Sequence, residues 1–158
     1  MYSVVPNVHN NAGDGTLKRK QEPLESLLKT TQMSQTGIRS ILDTSMEAAL
    51  RKALKKQLKE FDNIESEVYA LAAQRGWELK ELDPAVRFLT DRFNRMKMAG
   101  NSTDSKIASL MIQENTRGII ESTKNLHKLS DEDIPLQILS QKLLDCENAG
   151  IRQMLRFL

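Results

Sequence analysis

The sequence predicts an all-α fold, a bundle of long helices. Three observations lead there. Aromatic residues make up only 4% of the chain and Gly and Pro are scarce, whereas Leu, Ala, Lys, Glu, Gln and Met abound. This balance favours helix over sheet. Apolar residues recur at alternating steps of three and four along most of the chain. Helix-starting and helix-stopping residues then cut those periodic stretches into segments of bundle length. A chain of 158 residues with 39% hydrophobic and 28% charged residues suits one domain with one core.

Residues 1–21 read as a flexible tail. Asn7, Asn10, Asn11, Gly13, Asp14 and Gly15 form turns and coil, and Lys18, Arg19 and Lys20 add a short basic run. The bundle domain is expected over 22–158. Its first helix starts at Pro23, suited to a first helical turn, and runs to about Asp43. Leu24, Leu27, Leu28, Ile38, Ile41 and Leu42 share one face, with polar Thr31, Ser34 and Gln35 at its centre. Thr44 and Glu47 spell a capping box, which starts a second helix that ends at Arg75 with Gly76 as its stop. Its seam is Leu50, Leu54, Gln57, Phe61, Ile64, Val68 and Leu71, the spacing of helical bundles.

Asp83 and Pro84 open a short helix to Ala99, with Val86, Leu89, Phe93 and Met96 on one face and Phe88 off it. A fourth helix runs from Ser102 or Thr103 to Leu129 along Ala108, Ile112, Asn115, Ile119, Ser122, Leu126 and Leu129, flanked by Ile107, Met111 and Ile120. Ser130, Asp131 and Asp133 offer caps for the last helix, which carries Leu136, Leu139, Leu143, Cys146, Ile151, Met154, Leu155 and Leu158. The layout is two helical hairpins joined by a long crossover, from Gly76 to Ser102, that contains the short extra helix. That is the connectivity of a ferritin-like four-helix bundle. A five-helix up-and-down bundle is the competing arrangement.

Composition also excludes function classes. The formal charge of +2 argues against a dedicated nucleic-acid binder, and no nucleic-acid partner is expected. Cys146 is the single cysteine, so no intrachain disulfide forms and a reducing, cytoplasmic setting is expected. No signal peptide and no apolar stretch of membrane-spanning length is visible. Phosphate loops, paired-cysteine zinc spacings, His-Glu-x-x-His and nucleophile elbows are absent. Neither a catalytic residue nor a cofactor is assigned.

A ferritin-like bundle raises the question of a di-metal centre, which takes Glu-x-x-His pairs from two helices. No Glu here has a His three residues on: His9 lies in the tail, and His127 follows Lys124. A non-standard carboxylate site for a divalent metal remains as the alternative, with Glu65, Glu114 and Glu147 as ligands beside the seams. With Gln35, Gln57 and Asn115 these residues also fit a hydrogen-bonded polar layer that fixes helix register, the more common arrangement. His127 near a helix C-terminus suits the dipole there. Cys146 on the apolar face reads as a small buried hydrophobe. Arg51, Lys52, Lys55, Lys56 and Lys59 form a basic cluster, expected to be a solvated face with Glu47–Arg51 and Lys56–Glu60 pairs at i, i+4.

Four segments together carry a resemblance: Ile41-Leu42-Asp43-Thr44-Ser45, Glu60-Phe61-Asp62-Asn63-Ile64-Glu65, Ala72-Ala73-Gln74-Arg75-Gly76-Trp77 and Gln113-Glu114-Asn115-Thr116-Arg117-Gly118. They resemble an uncharacterised family of bacterial ferritin-like helical bundles, similar in style to spore coat F-like domains. The likeness covers about residues 24–158. It implies a ferritin-like bundle with a spore association, and no catalytic residues. The expected function is non-enzymatic: contact with a protein partner or self-association, with Phe88 as a contact residue.

Overall fold

The structure is a computed structural model that describes residues 12–80, 85–100 and 102–158. Among the described residues the chain is helical throughout: α1 (Ala12–Ile41), α2 (Ala48–Gln74), α3 (Ala85–Met98), α4 (Asp104–Lys128), α5 (Ile134–Met154) and a closing 3-10 turn (Leu155–Phe157). This bears out the all-α class. No described helix is long and apolar enough to cross a membrane.

Helix α1 begins well before Pro23, the start expected from sequence, and carries Pro23 inside it. The added turns have something to cover: Gln21 is buried and its Nε2 donates to the Glu78 carbonyl at 3.2 Å. At the next junction the expected capping box does not form. Glu47 occupies the N-cap of α2 without a side-chain bond, and the Thr44 hydroxyl has no partner. Tertiary groups do the capping instead. The Glu47 N–H donates to the Asp104 carboxylate from the first turn of α4 at 3.3 Å. Arg51 turns back to cap α1, donating to the carbonyls of Leu42 and Thr44.

The α2 seam buries all seven expected residues. Its end is a Schellman motif: Gly76 adopts φ +64°, Trp77 N–H donates to Ala72 O at 2.9 Å, and Gly76 N–H to Ala73 O at 3.1 Å. Helix α3 docks on α1 through Phe93, which is fully buried, and Met96. Helix α4 is capped by the Thr103 hydroxyl and α5 by the Asp133 carboxylate.

The buried stripe of α4 is rotated from the expected seam. Glu114, Gly118 and Asn125 are buried with Ile107, Ala108, Met111, Asn115 and Ser122. Ile112, Ile119 and Leu126 are only half-buried and Ile120 is exposed. The reason is that α4 packs against both α1 and α5, so its inward face is the one between two neighbours. Likewise Leu155 and Leu158, expected on the core face of the last helix, are exposed.

The arrangement of the four long helices follows from their contacts. Helix α1 packs against α2 and α4, and α5 packs against the same two. Contacts between the α2 and α4 strands of the chain keep a constant offset: Glu47 meets Asp104 57 residues on, and Gln57 meets Asn115 58 residues on. A constant offset means that α2 and α4 run in the same direction. The connection between them must therefore return along the length of the bundle, and α3 lies on that return.

Candidate functional site

The polar residues expected at mid-bundle do converge there, in an arrangement built on two glycines. Gly118 of α4 faces the Glu147 carboxylate of α5; a Cβ at Gly118 would lie 2.3 Å from Glu147 Oε1. Gly150 of α5 faces Gln57 of α2 and Asn115 of α4; a Cβ there would lie 2.1 Å from Gln57 Nε2 and 2.7 Å from Asn115 Nδ2. Asn115 and Gly118 are one turn apart on α4, as are Glu147 and Gly150 on α5, so each pair shares a face. The two helices thus exchange polar side chains into each other's glycine notches.

Glu147 is fully buried. Ser34 Oγ, from the polar centre of α1, donates to its Oε1 at 2.8 Å, and its Oε2 has no hydrogen-bond partner. Burial pushes its carboxyl up to about 8; the Ser34 bond opposes this and the nearby Glu114 charge adds to it. At neutral pH the carboxyl is therefore mostly the neutral acid. Gln57 Nε2 donates to Asn115 Oδ1 at 2.8 Å, which leaves Gln57 Oε1 and Asn115 Nδ2 without partners.

Glu114 lies at the edge of this layer. Arg92 of α3 donates to its Oε1 at 2.8 Å, and Arg117 approaches its Oε2 at 3.3 Å. Burial raises its carboxyl, and the two guanidiniums oppose that in part. A cavity of about 30 Å³ separates Ser34 of α1 from Glu114 and Gly118 of α4. Space of that size admits water and excludes an organic substrate.

The three carboxylates considered as metal ligands are not gathered. Glu65 accepts from Gln32 Nε2 at 2.9 Å on the α1–α2 side. Glu114 is held by its two arginines and Glu147 by Ser34. Among the described residues no three His, Cys, Asp or Glu side chains form a group that could hold a metal ion. Gln35, also expected in the layer, is buried but donates to Asp62 at 2.7 Å. Cys146 is buried and donates to Glu60 at 3.6 Å. Burial and then the charges of Glu147 and Glu60 push its thiol far up, so it is no nucleophile at neutral pH. His127 is exposed. The Phe88 side chain lies outside the described residues.

Sequence reasoning found Gln57, Asn115, Glu114 and Glu147 but missed Gly118, Gly150, Ser34 as a carboxyl partner, and Arg92. A signal existed for the glycines. Gly within a helix costs about 1 kcal/mol against Ala, so an interior glycine marks a packing constraint. Nothing in the sequence tied Arg92 to Glu114, since that pair depends on where the connection returns.

No family model matches the chain, and no curated protein or solved structure matches it either.

Proposed function

We propose that this chain is a non-enzymatic helical-bundle protein that acts through protein contacts at its surface. The observation that carries the reading is the tightly filled interior among the described residues. Glu147, whose carboxyl is raised to about 8, is fully buried, and the cavity beside its partner Ser34 is about 30 Å³. The space beside these groups is too small for an organic substrate, and their bonds join helices to one another. Exposed aliphatic side chains sit instead on the outside, with Ile134 and Ile138 one turn apart on α5 and Ile120 on α4.

The ferritin-like description is part of the same proposal. Co-directional α2 and α4, joined by a connection that returns along the bundle, are what that connectivity requires. A metal-binding function on Glu114 and Glu147 is the weaker reading. Arg92 and Arg117 already neutralise Glu114, and their positive charge repels a cation.

Metal content decides between the two. Tag-free protein is incubated with iron, manganese and zinc, desalted and analysed by mass spectrometry beside Glu147→Gln. The expected result is no stoichiometric metal in either. Metal retained by the wild type and lost from the variant overturns the interaction reading.

A further inference from the structure

The basic cluster on α2 is the solvated face expected, with Lys52, Lys55, Lys56 and Lys59 exposed, but neither expected i, i+4 pair forms among the described residues. Arg51 is used on the carbonyls of Leu42 and Thr44 in the turn after α1, and Glu60 accepts from Cys146 rather than pairing with Lys56. Across the groove from Lys52 and Lys56, the end of α5 and the 3-10 turn present Arg152 and Arg156. Among the described residues none of these four cations is in an ion pair. No acidic residue occurs over 48–59 or 148–158.

The groove between the two rows has a volume of about 750 Å³, and its floor includes Ala53 and Ala149. Small floor residues let another backbone approach closely. On each wall the cations stand four residues apart, which on α2 is about 6 Å along the helix axis. Carboxylates at i, i+4 on a helix laid along the groove repeat at that interval.

We propose that the α2–α5 groove is the docking site for an acidic amphipathic helix of another protein, with its small apolar stripe on the alanine floor and its carboxylates on Lys52, Lys56, Arg152 and Arg156. This rests on the reading of the chain as an interaction bundle and names its partner by chemistry. Other occupants fit less well. No aromatic side chain lines the groove to stack bases. A concave channel walled by charge offers no apolar face to insert into a membrane. The chain's own acidic stretch on α2 is already engaged: Asp62 by Gln35 and Arg39, Glu65 by Gln32, and Glu67 by Lys142. A second copy therefore has no free acidic helix there to offer.

The test uses the full chain and a labelled synthetic peptide with Glu at i, i+4 and an Ala/Leu stripe. A scrambled peptide of the same composition, a single-stranded oligonucleotide and anionic phospholipid vesicles serve as competitors. The patterned peptide binds more tightly than the scrambled one. Lys52→Glu combined with Arg152→Glu weakens it by about tenfold or more, with the helical circular dichroism and melting temperature unchanged because both positions are exposed. Equal binding of patterned and scrambled peptides, no binding at all, or an unchanged affinity in the double variant overturns the proposal. Displacement of the peptide by the oligonucleotide or the vesicles at lower concentration overturns it in favour of that ligand. Failure of the peptide leaves the interaction reading to the metal measurement, and retained metal sinks that reading whatever the peptide does.

Discussion

Glu147 shows how a single side chain can couple this bundle to pH. Its carboxyl is raised from 4.5 to about 8 by burial. The folded state therefore holds a proton that the unfolded chain releases. Its contribution to stability is fully present below pH 4.5 and is lost as the pH climbs to about 8. Over that interval the slope is about 1.4 kcal/mol per pH unit. Glu147→Gln keeps the acceptor for Ser34 and removes the proton, so it is expected to abolish this slope. Urea denaturation of both proteins between about pH 5 and about pH 8 reads the difference. Glu114, also raised, is present in both, and only its coupling to Glu147, the least of the three causes there, differs between them. Parallel pH profiles would show that the Glu147 proton is not linked to folding. The sequence placed Glu147 beside a seam. Its full burial was not legible, because that depends on a residue lacking a Cβ on another helix.

At the scale of elements, periodicity and punctuation were the legible part. The α2 seam and its Gly76 stop, the Thr103 and Asp133 caps, and Phe93 and Met96 of α3 all follow from local spacing. What failed was decided by partners from elsewhere. The Thr44–Glu47 box yields to Asp104, and the α4 stripe turns to face two helices. The notch at Gly118 gives this scale its prediction. Ala is the better helix former by about 1 kcal/mol, yet Gly118→Ala places a methyl 2.3 Å from Glu147 Oε1 and 2.5 Å from its Cδ, so the buried carboxyl must shift away from Ser34. A net loss of about 1–3 kcal/mol is expected from overpacking. In a Glu147→Ala background the clash is gone, and the same substitution becomes neutral or stabilising. A double-mutant cycle by urea denaturation measures the coupling. An equal cost in both backgrounds would mean that the carboxylate does not occupy the notch.

At the scale of the whole molecule, the constant offset between α2 and α4 sets the architecture. The sequence anticipated two hairpins and a long connection between them, because tight joins and a segment bounded by Gly76 and Gly100 are local features. It did not say how the hairpins would be keyed to one another. That information lies in pairs such as Arg75 with Asp133, bonded through both guanidinium nitrogens at 2.9 and 2.6 Å, and Asn125 with the Pro23 carbonyl at 2.9 Å. The basic groove is similarly a property of the assembled bundle: one wall is legible as a lysine cluster, but the other comes from a helix end about a hundred residues away.

The glycine notches of the polar layer lie within the α4–α5 hairpin, but its hydrogen bonds are made between hairpins. Ser34 meets Glu147 across 113 residues, and Gln57 meets Asn115 across 58. Such distant contacts carry the largest loop-closure entropy, so they form late, after each hairpin has closed its own seam. Glu147 already faces Gly118 once its own hairpin closes, but its α1 side stays open to water until the halves come together and Ser34 reaches it. Refolding is therefore expected to slow as the pH rises from about 5 to about 8, as the neutral, buriable fraction of the still-hydrated carboxyl shrinks about tenfold per pH unit. Stopped-flow refolding of the wild type beside Glu147→Gln reads this. A pH-independent rate in the wild type would mean that the carboxyl is buried only after the rate-limiting barrier has been crossed.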